Sequence, residues 1–346
     1  MTTKQCTPPQ FDRREFLLAV ASGMPLLAQG CTEADLDEFR NGDPFAADPA
    51  PELGIGGPPM AMTAAIQVDG ALLSQAALLA DEQICSVPKS LVEIAVGDQV
   101  RVTRNAGEYA LYTVAERRKS DNPGLVRMAL DARLRLGTSD AFVASLAIPV
   151  VANLGDAEAQ AQGELVERLI DDGNETGLIA IAPHGGAIEF NTDRQAEAVS
   201  LALGCSAWIC KGWKVGGGAY DRWHITSTKI SPRSFPALGQ VANRGFAYCV
   251  AFHGIATGGV LIGGAAPVEL KQMVQAAILE RLPDPSIAVT IATPLDLYNA
   301  DSPSNVVNWL TADGLGGLQI EQSATVRSLH WQAVANAVID VYSQLI

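Results

Sequence analysis

Between residues 160 and 346, short apolar runs alternate with stretches of helical periodicity, and no other feature of the chain constrains its fold as much. Residues 177–183, 207–210, 246–252, 287–291 and 318–321 have the length and the apolar content of buried strands. Residues 164–170 read as a helix leading into the first of these strands. Residues 194–203 form a second periodic stretch, with Asn191, Thr192 and Asp193 ahead of it as N-cap candidates. Further helices are expected over 267–282 and, as one long terminal helix, over 325–345. This alternation predicts an α/β fold, a mixed open sheet with helices on both faces. In such sheets ligands gather beyond the carboxyl ends of the strands.

Residues 62–155 have a different texture. Residues 94–103 and 108–116 are rich in β-formers and bounded by Gly, Asp and Asn; 126–137 read as strand, short helix and glycine stop, and 142–151 as another strand. The pattern resembles a small double-psi-type β-barrel, in which a strand leads into a short helix near a Leu-Gly turn. A small β-barrel-like domain is therefore expected ahead of the α/β domain at 160–346. It offers no catalytic candidate, and its expected work is packing or presenting a polymer to its neighbour.

The first sixty residues read as something other than fold. Asp12-Arg13-Arg14-Glu15-Phe16-Leu17-Leu18 resembles a bacterial twin-arginine export signal. The apolar stretch that follows, interrupted by Gly23 and Pro25, falls short of the ~20 residues of a membrane-spanning helix. It closes on Leu26-Leu27-Ala28-Gln29-Gly30-Cys31, which resembles a lipoprotein cleavage site, although Ala28 and Gln29 depart from the usual residues. Residues 1–31 are thus expected to direct export to the cell envelope, with a lipid anchor at Cys31 as the one membrane attachment. Cleavage elsewhere, with Cys31 incidental, is the alternative. Residues 32–61 are acidic and rich in Pro, Ala and Gly, the composition of a disordered linker. The remaining cysteines, Cys85, Cys205, Cys210 and Cys249, make no CxxC pair; Cys205 and Cys210 are buried thiols or a disulfide.

Lys and Arg number 24 against 38 Asp and Glu, a formal charge of -14. Such a surface repels nucleic-acid phosphate and anionic lipid, which excludes both as partners. An acidic substrate would need a local basic patch. The four histidines all fall in the second half. His184 follows one apolar strand, inside Pro183-His184-Gly185-Gly186-Ala187-Ile188-Glu189, where two glycines permit a sharp turn that brings Glu189 round to His184. His253 follows another, before Gly254. Imidazole nitrogens and a carboxylate together suit a borderline-soft dication such as zinc, and a catalytic site keeps one position open. On residues alone, a strand-end histidine is more often a structural one.

A resemblance extends this reading. From about residue 174 the chain resembles the zinc-dependent poly-γ-glutamate hydrolases, first known from phage and related in fold to the metallocarboxypeptidases. Ala182-Pro-His184-Gly-Gly-Ala-Ile-Glu189, Trp223-His224-Ile-Thr-Ser-Thr228, Phe252-His253-Gly254 and Gly317-Leu-Gln-Ile-Glu321 carry it. It implies a metallocarboxypeptidase-like sheet and one zinc ion per chain, held by His184, Glu189 and His253, with Glu321 as the catalytic carboxylate. It also implies hydrolysis of γ-glutamyl amide bonds in an acidic polymer or peptide. His224 is placed beside the site as a substrate contact, or else as a satisfied structural histidine; His330 reads as a packing residue on the terminal helix. For substrate carboxylates, Arg222, Arg244 and Arg327 are the candidates, because a guanidinium reads a carboxylate bidentately. About half the cations near them are expected to be solvated surface charges. Two rivals stay open: a peptidoglycan or N-acyl-amino-acid amidohydrolase with the same centre, and a non-catalytic envelope lipoprotein that binds acidic polymers.

Overall fold

The computed structural model describes residues 60–64, 82–119, 124–173, 175–256 and 258–346. The export signal, Cys31 and nearly all of the linker lie outside the described residues. Among the described residues, no helix is long and apolar enough to cross a membrane.

Strands β1 (Met60–Ala64), β2 (Ile84–Pro88), β3 (Gln99–Asn105), β4 (Glu108–Arg118) and β5 (Phe142–Ala147) form one sheet in the order β1-β5-β3-β4-β2. β3 and β4 make an antiparallel hairpin whose turn holds Gly107 at φ 83°, a backbone state that favours glycine. β2 joins β4 in parallel. The short helix Leu130–Leu134 follows, and the chain leaves it through Gly137 at φ 69°, the glycine stop read from the sequence. Val87, Val100, Val102, Tyr112, Met128, Leu136 and Leu146 fill the core of this sheet. Among the described residues β1 and β2 are its open edges, so the arrangement is a half-barrel.

The second sheet runs β6 (Leu165–Ile170), β7 (Leu178–Gly186), β8 (Ser206–Gly212), β9 (Tyr248–Ile255), β10 (Val260–Gly263), β11 (Val289–Ile291) and β12 (Gly317–Ser323). In space the order is β11-β10-β12-β9-β7-β8-β6. β12, β9, β7 and β8 are parallel, while β6 pairs antiparallel with β8 and β10 antiparallel with β12. It is the mixed open sheet expected from the alternation.

Helices Thr192–Leu203, Val268–Arg281 and Trp331–Tyr342 cover one face, packing on Ala180, Ala182, Val250, Phe252 and Ile320. The other face carries Ile179, Ile181, Trp208 and Ala251 beneath Trp223, Ile225, Phe235, Leu238 and Leu310. Tyr109 and Leu111 of β4 join this second core, so the two sheets share buried apolar surface.

Two sequence expectations are corrected. Residues 164–170 are not helical: the helix lies upstream, at Asp156–Gln162, and ends on Gly163 in the left-handed region. Leu165 and Val166 are buried and the run pairs with β8, because an edge position beside an apolar strand rewards extended backbone more than helical spacing does. The long terminal helix is broken at His330 (φ −132°) into Ala324–Leu329 and Trp331–Tyr342. The first piece stays with β12, and the second turns away to pack on the two covering helices. Cys85, Cys205, Cys210 and Cys249 are free and buried, so the thiol reading holds for Cys205 and Cys210. Burial pushes the Cys85 thiol up to about 12 and keeps it protonated.

Trp208 is fully buried, edge-on to Phe235, and its Nε1 donates to Glu167 Oε2 at 2.9 Å. Trp208→Ala is expected to cost about 3–5 kcal/mol through the cavity it leaves. Urea unfolding followed by circular dichroism measures this; an unchanged midpoint would contradict the packing described.

Candidate metal centre and active site

The site is built by strand register. Ile181 of β7 lies beside Ala251 of β9, and His253 of β9 lies beside Glu321 of β12, so the three strand ends finish together. On β7 the alternation runs Ile179 and Ile181 toward one face, Ala180 and Ala182 toward the other. Continued regularly, it would send His184 to the helix-covered face. A bulge in the β7–β8 pairing between Ala182 and Gly185 inserts the shift that turns His184 to the face of His253. Both following glycines are needed. A Cβ at Gly185 would come within 2.6 Å of Asp193 Cβ, and Gly186 sits at φ 67° against the Gly212 carbonyl. The Glu189 N–H then donates to the His184 carbonyl at 2.8 Å, which closes the turn.

His184 Nδ1 lies 3.2 Å from His253 Nδ1, and the Glu189 oxygens lie 3.3 Å from His184 Nδ1 and 3.4 Å from His253 Nδ1. All three side chains are buried. Donor atoms bound tetrahedrally at zinc distances sit about 3.4 Å apart, so this spacing fits one small dication. The tautomer fits as well. His184 Nε2 is 2.8 Å from the Ile225 carbonyl, which can only accept, so Nε2 keeps its proton, and Nδ1 is the nitrogen that presents a lone pair when the ring is neutral. Ser227 Oγ lies 3.4 Å from His253 Nε2, and the Gly254 N–H donates to Glu189 Oε2 at 2.9 Å. Although burial pushes the other way, the charges and hydrogen bonds of His184 and His253 hold the Glu189 carboxyl well below its ordinary range.

His224 also belongs to the cluster, since its donor atom and those of His184 and Glu189 lie within 4.8 Å of one another. Its Nε2 is 3.8 Å from Glu189 Oε1, however, and its ring stacks on Tyr220 and meets His184 at a tilt of 41°, with centroids 4.3 Å away on each side. The shorter triangle with His253 is the better cation cradle. Burial lowers the pKa of His224 to about 3, and the charge of His184 adds to this, so the ring is neutral.

Glu321 is buried in the same register row, and Gln319 Nε2 donates to its Oε1 at 2.8 Å. Burial, reinforced by the charge of Glu189, raises its pKa to about 7 against the lowering pull of His253, Gln319 and Arg327. Arg327 lies close by. Its guanidinium packs on Gly254, where an added Cβ would come within 2.6 Å of Cζ, and bonds the Gln322 and Phe190 carbonyls.

The other two arginines are not brought into the cluster. Arg222 stands two residues from both Tyr220 and His224, a spacing that points side chains apart on a helix. Its guanidinium lies 4.1 Å over the Tyr109 ring and bonds the Gly107 carbonyl. Arg244 sits at the opposite end of the sheet, where β8 begins, paired with Asp171 and Asp172 and bonded to Ser206. The sequence reading missed Tyr220, Gln319, Ser227 and the Ile225 carbonyl. Tyr220 could have been found from its i,i+4 spacing to His224, and Gln319 from strand alternation with Glu321.

A His–Glu cation cradle with a buried carboxylate alongside, at the carboxyl edge of an α/β sheet, is the equipment of a hydrolase. The poly-gamma-glutamate hydrolase family model matches residues 156–337, over half of the chain, and the chain belongs to that family. No curated protein matches it. Among solved structures, a bacteriophage poly-gamma-glutamate hydrolase is 24% identical over 52% of this chain and 88% of its own, with a TM-score of 0.41. A metallo-carboxypeptidase from Burkholderia cenocepacia is 8% identical over 72% of this chain and 82% of its own, with a TM-score of 0.34.

Arg244→Ala is expected to cost roughly 3 kcal/mol, because it leaves the Asp172 carboxylate, its side chain 5% exposed, without a charge partner and with only the Ser206 N–H. Hydrolytic kcat/KM should stay at the wild-type value. A rise in KM with no loss of thermal stability would restore Arg244 as a substrate contact.

Proposed function

We propose that the protein is a zinc-dependent amidohydrolase that cleaves γ-glutamyl amide bonds, with poly-γ-glutamate as its substrate. The observation that carries this reading is the 3.2–3.4 Å spacing of the His184, Glu189 and His253 donor atoms, with His253 in register with Glu321. These three side chains would hold one zinc ion. When bound, zinc supplies Lewis acidity toward an amide carbonyl and lowers the pKa of water.

The remaining work falls to the chain's own groups. Gln319 occupies Glu321 Oε1, which leaves Oε2 to accept a proton from the attacking water. The same carboxyl then returns the proton to the leaving amine, and a pKa of about 7 suits both steps. Arg327 has its Nε and Nη1 tied to backbone carbonyls, which fixes the guanidinium and directs Nη2 to a substrate carboxylate. Neutral His224, held between Tyr220 and His184, donates a hydrogen bond to the substrate.

The test is the size distribution of poly-γ-glutamate after incubation with zinc-loaded protein. The wild type should shorten the polymer. Glu321→Gln should retain one zinc per chain and lose roughly 10²–10⁴-fold in rate, the usual contribution of a general base. His184→Ala should lose the metal. A zinc-bound wild type that leaves the polymer intact would refute the substrate and send the same assay to peptidoglycan fragments and N-acyl amino acids. Full activity in Glu321→Gln would refute the general base.

The reading includes export to the bacterial cell envelope through the Arg13-Arg14 signal, with lipid attachment at Cys31. Replacing both arginines by Lys should leave the protein in the cytoplasm on fractionation. Envelope accumulation of that variant counts against the twin-arginine route.

A further inference from the structure

We infer that the five-stranded sheet is a positioning part of the active site, acting through Gln99 and Asp98 on the segment that carries the support of the metal ligands. The inference rests on the reading of His184, Glu189 and His253 as ligands and concerns residues outside the family match at 156–337.

One short segment supplies the groups behind that triangle. The His224 ring flanks His184, the Ile225 carbonyl holds His184 Nε2, and the Ser227 hydroxyl meets His253 Nε2. Groups of this kind fix the orientation and tautomer of metal-binding histidines. The segment is irregular, a five-residue helix at Ala219–Trp223 and a single 3-10 turn at Ser227–Lys229, so its own backbone bonds do little to hold it.

The first sheet grips it at both ends. Upstream, Arg135 bonds the Asp221 carbonyl and Arg222 bonds the Gly107 carbonyl at the β3–β4 turn. Downstream, Gln99 is fully buried, and its amide bonds the segment at both ends while its Nε2 also reaches the Gly97 carbonyl and, in its own sheet, Thr113 Oγ1. Its Nε2 donates to the Lys229 carbonyl at 2.5 Å, and its Oε1 accepts from the Ser231 N–H at 2.9 Å. Its backbone exchanges two hydrogen bonds with the Ser234 hydroxyl, at 2.8 and 3.0 Å. Next to it, the buried Asp98 carboxylate accepts from Ser231 Oγ and from Arg233 Nε, each at 3.1 Å. A buried glutamine bonded through both ends of its amide sets the height and the angle of the segment it touches. The route is short: Gln99 to Lys229, then two residues back to Ser227 on His253, and two more to Ile225 on His184.

The experiment uses the full chain and zinc itself. Gln99→Met keeps the length and volume of the side chain and removes its amide. Zinc affinity is read by competition with a chromophoric chelator, ligand geometry by the visible spectrum of the cobalt(II)-substituted protein, and stability by thermal unfolding. Arg281→Ala, which breaks an exposed ion pair with Asp340 on a covering helix, is the control for a purely structural loss. Gln99→Met should weaken zinc binding roughly tenfold, the low end for groups behind a metal ligand, and alter the cobalt spectrum. Arg281→Ala should change neither. If Gln99→Met fails to fold, Arg233→Ala decides, since that side chain is 58% exposed and leaves no cavity, while the buried Asp98 carboxylate keeps Ser231 Oγ and the Ala95 N–H. It should weaken zinc binding to a smaller degree, and Arg233→Lys should recover it. Wild-type affinity and spectrum in the folded variants would overturn the inference while leaving the ligand assignment standing. A wild type that takes up no zinc would overturn both.

Discussion

The parallel register of β7, β9 and β12 is the constraint on which everything else at the site depends. Backbone hydrogen bonds align Ile181 with Ala251 and His253 with Glu321, so the ends of three separate segments are delivered to one point without any side chain having to reach. What remains is a matter of which face each residue presents. β9 and β12 need no adjustment, but β7 does, and the bulge before Gly185 supplies it. The two glycines that follow are consequences of that bulge, since the turn passes too close to Asp193 and Gly212 for a side chain.

Once three such groups share a small dry space, their electrostatics follow. Two imidazoles pull the Glu189 carboxyl down in spite of its burial, while Glu321 is pushed up to about 7 by burial and the charge of Glu189. Two carboxylates of similar burial therefore serve different ends. The one surrounded by imidazoles is fit to stay charged and bind a cation, and the other is fit to exchange a proton near neutrality. A difference in neighbours separates them. The half-barrel enters at this level too, by holding the irregular segment whose Ile225 carbonyl decides which His184 nitrogen is free.

Most of the strand and helix order was legible because long apolar runs and helical periodicity survive tertiary contact. The errors occur where two elements compete for the same residues. Leu165–Ile170 has a sequence that tolerates either state, and the vacant edge of β8 decided for strand. The break at His330 has no proline or glycine to announce it, and comes from the different directions in which the two helical pieces must pack. Short strands such as Ile84–Pro88 and Val260–Gly263 carry too few residues for a periodicity to show.

For the site, the sequence by itself determined which histidines and glutamate end apolar strands beside glycines, and the family resemblance joined them into one donor set. Histidine and glutamate beside glycines, each just past an apolar strand, carry their meaning locally, because turn chemistry and strand ends are local properties. Tertiary structure alone decided which cations belong. Arg327 reaches the site by packing on Gly254, while Arg222 and Arg244, no less basic and no less plausibly placed along the chain, are spent on Tyr109 and on Asp171 and Asp172. A long flexible side chain goes wherever a buried partner of opposite charge or an aromatic face lets it lose its hydration at least cost. That choice is made between elements far apart in sequence, and no local pattern records it.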